Sequence, residues 1–379
     1  MNGYAAALSR HPLPAHAVGE VAGEVLDALH GADPDLLWCS LTPHHAGALD
    51  DVVHALDALL GPRVLVGATA AGVLGGGHEV ELGPGLAVFA ATLPDTTLVP
   101  VHLRARPGAG GVDVEGWPDA AADADLLLTA VDPFSVPVDA VLAHLRDRAP
   151  GLAVLGGLAS AANGVNRLVL DGEILADGMV GVALTDAPVR VVVSQGCRPV
   201  GEPLVVTDGG PGRIAELGGR PVADRLRELA DAVPIEDRDL VRHGLTVGFA
   251  VDEHDVGSPR CDHLVREILG VERRTGSLTV AEGETVGRTI RFHVRDAAAA
   301  DQDLRLLLAD PDVDARAVLA FTCTGRGRAL FGVPDHDVSV IEDRFGTIPV
   351  AGMACAGEIG PVGGRSHLHS FTAALACFT

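Results

Sequence analysis

Three stretches of the chain, VLVGATAAGVL (64–74), VLGGLASAANG (154–164) and PVAGMACAGEIG (349–360), read alike. Each is a short aliphatic run that breaks into Gly, Ala and Ser. Each is preceded by a run that reads as a buried strand: LLWCSLT from Leu36, LLLTAV from Leu126 and AVLAFTCTGRG from Ala317. Between the two runs lies a helical pattern. In 48–60 it places Leu49, Val52, Val53, Leu56 and Leu60 on one face, and 138–148 and 338–345 behave likewise. A further apolar run follows each loop: GLAVFAATL from Gly85, MVGVALT from Met179 and HSFTAALACF from His369. The unit is strand, helix, strand, loop, strand, and such a crossover sets its two strands parallel with the helix on one face.

A fainter copy runs from GLTVGFAV at Gly244, through HLVREILG at His263, to RTIRFHV at Arg288. Repetition of this kind predicts an α/β fold of two related lobes, each with two such units, sheets flanked by helices. The division expected is an N-terminal helical segment over 1–33, then lobes over 34–205 and 206–379, parted at the turn-rich Pro203 to Pro221. Gly67, Gly156 and Gly352 are expected at equivalent positions of their units.

The composition narrows the function. At 379 residues and 47% hydrophobic, with mean hydropathy +0.29, the chain can bury a sizeable core, packed from Val, Leu and Ala because only 3% of residues are aromatic. A formal charge of −23 makes nucleic acid and anionic membranes poor partners. All 28 basic residues are arginine. Without lysine there is no Schiff-base chemistry and no Walker-type phosphate loop. The start shows no basic n-region or apolar h-region, which points to a cytoplasmic protein. Cys39, Cys197, Cys261, Cys323, Cys355 and Cys377 are scattered without a CxxC pair, so free thiols are expected and a zinc ribbon is not.

Common catalytic signatures (GxSxG, HExxH, GxGxxG) are absent. DPDVD from Asp310 imitates a calcium loop but has Ala315 and Phe321 where glycine and glutamate are needed, so it reads as a helix-to-strand loop. His367 and His369 share a strand face but lack a third ligand, and His44 with His45 reads as the loop before a helix. No metal site is expected.

QGCRPVG from Gln195 sets Cys197 beside Arg198 and Pro199, a thiol next to a guanidinium that would favour thiolate; an ordinary cysteine closing a strand fits as well. CTGRGRALFG from Cys323 places Gly325 and Gly327 around Arg326, with Arg328 following, at a strand end. GMACAGEIGP from Gly352 offers Glu358 beside Gly357 at the end of the next strand. Ligands bind at such edges of α/β sheets, and arginine grips carboxylates bidentately. Arg326, Arg328 and Glu358 either line a pocket for an amino-acid-like zwitterion, with Gly325, Gly327, Gly352 and Gly357 leaving room, or pair with one another as a surface salt bridge.

The ordered set GCRPVG, CTGRG, LFG, PVAGMACAGEIGP and SFTAALACF resembles the C-terminal module of the FIST family, and VLVGATAAG with GLAVFAATL resembles its N-terminal module, together spanning about Leu36 to Phe378. The resemblance implies a sensory protein that binds a small molecule, with amino acids or related metabolites as suggested ligands. No resident cofactor is expected, although some bacterial members resemble haem-bound nitric-oxide sensors and haem stays possible. No kinase, cyclase or chemoreceptor segment fits in 379 residues, so output is expected through a signalling partner. Two alternatives stay open: an enzyme with a site around Cys323, Arg326 and Glu358, and a haem protein using Cys197 or a histidine.

Overall fold

The computed structural model describes residues 3–108, 111–161, 166–254, 256 and 263–379. The first copy runs β1 (Gly3–Ser9), α1 (Pro14–Ala28), β2 (Leu36–Leu41), α2 (Leu49–Leu60), β3 (Val64–Thr69), the hairpin β4 (Val73–Gly75) and β5 (His78–Val80), then β6 (Leu86–Thr92). The second runs β7 (Thr97–Gly108), β8 (Gly111–Glu115), β9 (Leu126–Val131), α3 (Val138–Arg148), β10 (Ala153–Leu158), the hairpin β11 (Leu168–Leu170) and β12 (Glu173–Leu175), then β13 (Met179–Thr185). After β14 (Val189–Ser194) comes a stretch with β15 (Cys197–Gly210), β16 (Arg213–Leu217), β17 (Arg220–Pro221), α4 (Val222–Ala232), α5 (Arg238–Gly244), β18 (Leu245–Ala250), β19 (His263–Val271), β20 (Leu278–Val280), β21 (Thr289–Arg295) and α6 (Ala297–Leu308). The third copy closes the chain: β22 (Ala317–Cys323), α7 (Gly327–Phe331), α8 (His336–Phe345), β23 (Val350–Cys355), the hairpin β24 (Glu358–Val362) and β25 (Arg365–His369), and β26 (Ala373–Phe378).

Residues 1–194 and 304–379 form one compact unit and 195–303 another. Two units are present, but the three clear copies all lie in the first, and the stretch read as a fainter copy lies in the second. The N-terminal segment, expected to be helical, opens with a strand because β1 pairs antiparallel with β6 along its whole length.

The three sheets of the first unit share one strand order: β1-β6-β2-β3-β11-β12, then β7-β13-β9-β10-β24-β25 (with β8 beyond β7), then β14-β26-β22-β23-β4-β5. Within each, the strands flanking the crossover helix are parallel, as expected. The terminal hairpin of every sheet comes from another copy. The second copy lends its hairpin to the first sheet, the third to the second, and the first to the third. This exchange is non-local, and nothing in the local sequence announces it.

Gly67, Gly156 and Gly352 mark where the exchange happens. On one side they lie in register with Cys39, Thr129 and Ala320 of the preceding parallel strand, and on the other with Val169, Ile359 and Leu74 of the lent hairpin. A Cβ at these positions would lie 2.2, 1.9 and 1.9 Å from the carbonyl oxygens of Cys39, Thr129 and Ala320. The obstruction is backbone, so it cannot swing aside. Gly352→Ala is therefore expected to lose at least about 1–3 kcal/mol, the usual overpacking range. An unshifted urea midpoint would refute this.

The inner faces of the three sheets meet in one apolar core that includes Trp38, Phe89, Leu128, Leu155, Val180, Phe321, Met353 and Phe378. Trp38 packs edge-on to Phe321 with ring centroids 5.0 Å apart. On the outer faces α1 and α2 cover the first sheet, α3 the second, and α8 with the end of α6 the third. In α2 the predicted face, Leu49, Val52, Val53, Leu56 and Leu60, is the buried one, and Gly61 ends the helix at φ +55°. The three glycine-rich loops also converge: Ser160 Oγ accepts from Ala71 N at 2.9 Å and donates to the Ala354 carbonyl.

The second unit is an antiparallel sheet in the order β15-β21-β18-β19-β20-β16-β17. HLVREILG, which stands where the other copies have their crossover helix, is strand β19, paired antiparallel with β18. Leu264 and Ile268 have helical spacing, but a run this short reads equally as a strand. Pairing decides it, burying Arg266 at 3.2 Å from Glu282. Pro203 to Pro221, with its VTDGGPG turn, lies within this unit in β15 and β16 and their flanks.

Candidate functional site

A cavity of about 230 Å³ opens at the carboxyl ends of β22 and β23. Thr322, Cys323, Thr324, Arg326, Gly327 and Ala354 form one wall, from the third copy. The other wall is the lent hairpin and its flanks, with Val73, Leu74, Glu79, Val80, Glu81 and Leu82. The lining is largely apolar, with two carboxylates, one guanidinium and two threonine hydroxyls set into it.

Arg326 does not pair with Glu358. It is 1% exposed, and its fork closes on Asp337: Nε donates to Oδ2 at 2.7 Å and Nη2 to Oδ1 at 2.8 Å. Nη1 reaches the Phe371 carbonyl at 3.4 Å, and the guanidinium lies 5.2 Å from the Phe331 ring centroid. Burial alone would push the Asp337 carboxyl up; the charge and hydrogen bonds of Arg326 win and hold it far below the ordinary carboxylate range.

The hairpin secures the opposite wall through its acids. Glu79 Oε1 accepts from the backbone N–H groups of Asp337 at 2.8 Å and Val338 at 3.1 Å, in the first turn of α8, where a carboxylate satisfies donors that have no intrahelical partner. Burial first, and then the charge of Asp337, push Glu79 up to about 7. Glu81 accepts from Arg328 N at 3.0 Å. Neither acid was foreseen as part of the site. HEVE (78–81) falls in the gap between two apolar runs, and its partners lie about 250 residues further along the chain.

Glu358 lies behind the cavity wall. It is wholly buried, and its Oε2 accepts from Thr372 N at 3.0 Å and Thr372 Oγ1 at 2.7 Å. Oε1 meets no donor at full hydrogen-bonding geometry, and the Cys323 thiol beside the carboxylate is at best a weak one. Burial pushes the Glu358 carboxyl up to about 8 against the opposing pull of Thr372, the thiol and Arg326. Burial, then Glu358, push Cys323 up to about 12.

The structure thus places Cys323, Arg326 and Gly327 on the cavity wall, and Glu358 with Gly357 beneath it. Arg328 is exposed, Gly325 is half-buried and donates to Cys323 Sγ at 3.4 Å, and Gly352 is enclosed in β23. Cys197 and Arg198 belong to the second unit. There Arg198 donates to Asp296 at 2.8 Å and Asp237 at 2.6 Å, beside a separate cavity of about 220 Å³. His45 is buried, and burial, then the charges of His44 and His11, push its ring below the ordinary histidine range. The rings of His367 and His369 are 6.3 Å apart. Among the described residues no cluster of three metal-ligating side chains occurs. Cys39, Cys197, Cys323, Cys355 and Cys377 are free; Cys261 lies outside the described residues. No helix among the described residues is long and apolar enough to cross a membrane.

A small cavity at the carboxyl edge of a sheet is where α/β domains commonly bind ligands. The FIST N domain model matches residues 35–220 and the FIST C domain model residues 223–361. The chain belongs to the FIST family, whose domains are sensory domains that bind small ligands in signalling proteins. It is 41% identical over 381 residues to an uncharacterized protein of Mycobacterium tuberculosis (strain ATCC 25618 / H37Rv), covering 98% of each chain. A second uncharacterized protein, of Mycobacterium bovis, is 41% identical over 365 residues, with 95% and 94% covered. A solved cyanuric acid hydrolase from A. caulinodans aligns over 100% of both chains at 10% identity and a TM-score of 0.34, too distant to bear on activity.

Proposed function

We propose that this protein is a sensor for a small amino-acid-like metabolite, which binds between the β4–β5 hairpin and the ends of β22 and β23, and that it signals through a protein partner. The observation carrying this reading is the mixed lining: Glu79 and Glu81 for an ammonium group, the threonine hydroxyls for a carboxylate, and an apolar wall between. The volume suits a compact metabolite and is smaller than a haem. Holding a ligand is favoured over attacking one, because the Cys323 thiol, pushed up to about 12, becomes nucleophilic only when a base such as Glu358 takes its proton.

A thermal-shift screen against amino acids, amines and organic acids identifies the ligand, since a compound that binds only the native state raises its stability. Calorimetry then compares wild type with Glu81→Gln, which retains an acceptor for Arg328 N but no charge. A charge-assisted hydrogen bond of ~1.5–3 kcal/mol predicts a loss of affinity of roughly tenfold to a few hundredfold. A screen in which no zwitterion or amine shifts the transition, or equal affinities for the two proteins, overturns the reading.

A further inference from the structure

β22 and β23 run parallel, and their last paired residues are Cys323 and Cys355. In a parallel pair, residues in register project to the same side of the sheet. Here that side is the central core, where Phe321 and Met353, two positions earlier, and Cys355 itself are found. Neighbouring strands lie about 4.7–4.9 Å apart, inside the roughly 4.4–6.8 Å between Cα atoms that a disulfide spans. Strand ends are also where a sheet can draw together. Cys323 lines the cavity and keeps 9% of its surface exposed, while Cys355 is wholly enclosed. Gly157 leaves room for the second thiol: a Cβ there would lie 2.2 Å from Cys355 Sγ. The third member is Glu358, wholly buried beside both sulfurs, with one carboxylate oxygen that no donor occupies.

We propose that Cys323 and Cys355 are a redox-active dithiol that closes to a disulfide when a hydroperoxide enters the cavity, with Glu358 receiving the proton of the attacking thiol. Cys323 Sγ attacks the peroxide. The S–O bond forms, the O–O bond breaks, and the leaving hydroxide is protonated to water, or to an alcohol from an alkyl peroxide. Cys355 Sγ then attacks the resulting sulfenic acid, forming S–S and releasing its oxygen as a second water. Two thiols lose two electrons and two protons, and the peroxide gains both. Glu358 is suited to the proton transfer because it titrates at about 8, close to neutrality, whereas both thiols are pushed far above it by burial. Without a hydroperoxide the pair stays reduced, as the free cysteines of the resting protein are. The assignment stands apart from the identity of any ligand.

The test uses the whole chain, reduced, desalted, exposed to hydrogen peroxide near neutral pH, alkylated and digested with trypsin without reductant. Cleavage at Arg316, Arg326, Arg344 and Arg365 puts the two cysteines on different peptides. The expected product is those two peptides joined, short of two hydrogen atoms and separated again by dithiothreitol. Cys355→Ser should instead accumulate a sulfenic acid on Cys323 that dimedone traps. Disulfide formation in wild type should accelerate with pH and level off above about 8 as Glu358 deprotonates, and Glu358→Gln should slow it at least about tenfold. Cys323 remaining alkylatable, oxidised singly to sulfinic acid, or joined to another cysteine overturns the dithiol. A Glu358→Gln rate equal to or above wild type overturns the role of Glu358.

Discussion

Arg326→Ala is expected to remove about 3–5 kcal/mol of stability, the range for breaking a buried ion pair by deleting one partner. Asp337 would be left as a fully buried carboxylate in the first turn of α8, with His336 Nδ1 at 3.0 Å as its remaining side-chain neighbour. A surface bridge would cost only about 0–1 kcal/mol, so magnitude separates the two pictures. Removing both charges should be far milder, because an apolar pair of similar volume often matches a buried ion pair. Urea unfolding of Arg326→Ala and of the double variant Arg326→Met, Asp337→Leu makes the comparison. Should the single variant lose less than about 1 kcal/mol, the buried pair is not what holds α8 against the cavity wall.

Stability should fall as pH rises from about 4.5 to about 8, and Glu358 should be responsible for much of the slope. An unfolded glutamate titrates near 4.3, whereas the folded one holds its proton up to about 8. In that window the native state binds more protons than the unfolded chain, so its advantage is complete below the window and gone above it. One such group contributes at most about 1.4 kcal/mol per pH unit. Glu79, pushed up to about 7, acts in the same direction over a narrower range. Glu358→Gln preserves an acceptor for Thr372 and removes the titration. Its unfolding midpoint should vary less with pH than wild type, and it should be the more stable protein at pH 8 and above. The difference between the two proteins is the readout, because the −23 charge gives both a slope of their own. Parallel curves would show that Glu358 does not titrate in this range.

Local pattern carried the fold a long way. The buried strands beginning at Leu36, Leu126 and Ala317 and the helix over 138–148 lie where the sequence puts them, because each is a complete apolar run or a complete period-3.6 signal within its own residues. The hairpin exchange was not legible, since VLGGGHEV (73–80) pairs with residues some 275 positions away, beyond any spacing rule. The site divides the same way. Cys323, Arg326 and Gly327 stand out because glycines frame them at a strand end. Asp337 carries no such mark: a single acid at the start of a helix is an ordinary capping choice, and only tertiary packing aims it at Arg326.

The traffic of hairpins among the three sheets means that neither family module owns a finished structure. A fragment ending near residue 220, where the N domain match stops, would carry β4 and β5 without β23 to receive them, and its β10 would have an edge with no partner. Open edges of that kind are templates for aggregation. The C domain match, cut loose at residue 361, would keep β22 and β23 but lack β26 and β14 on one side of them and β4 on the other. The two modules therefore complete one another's sheets and depend on one another as folding units.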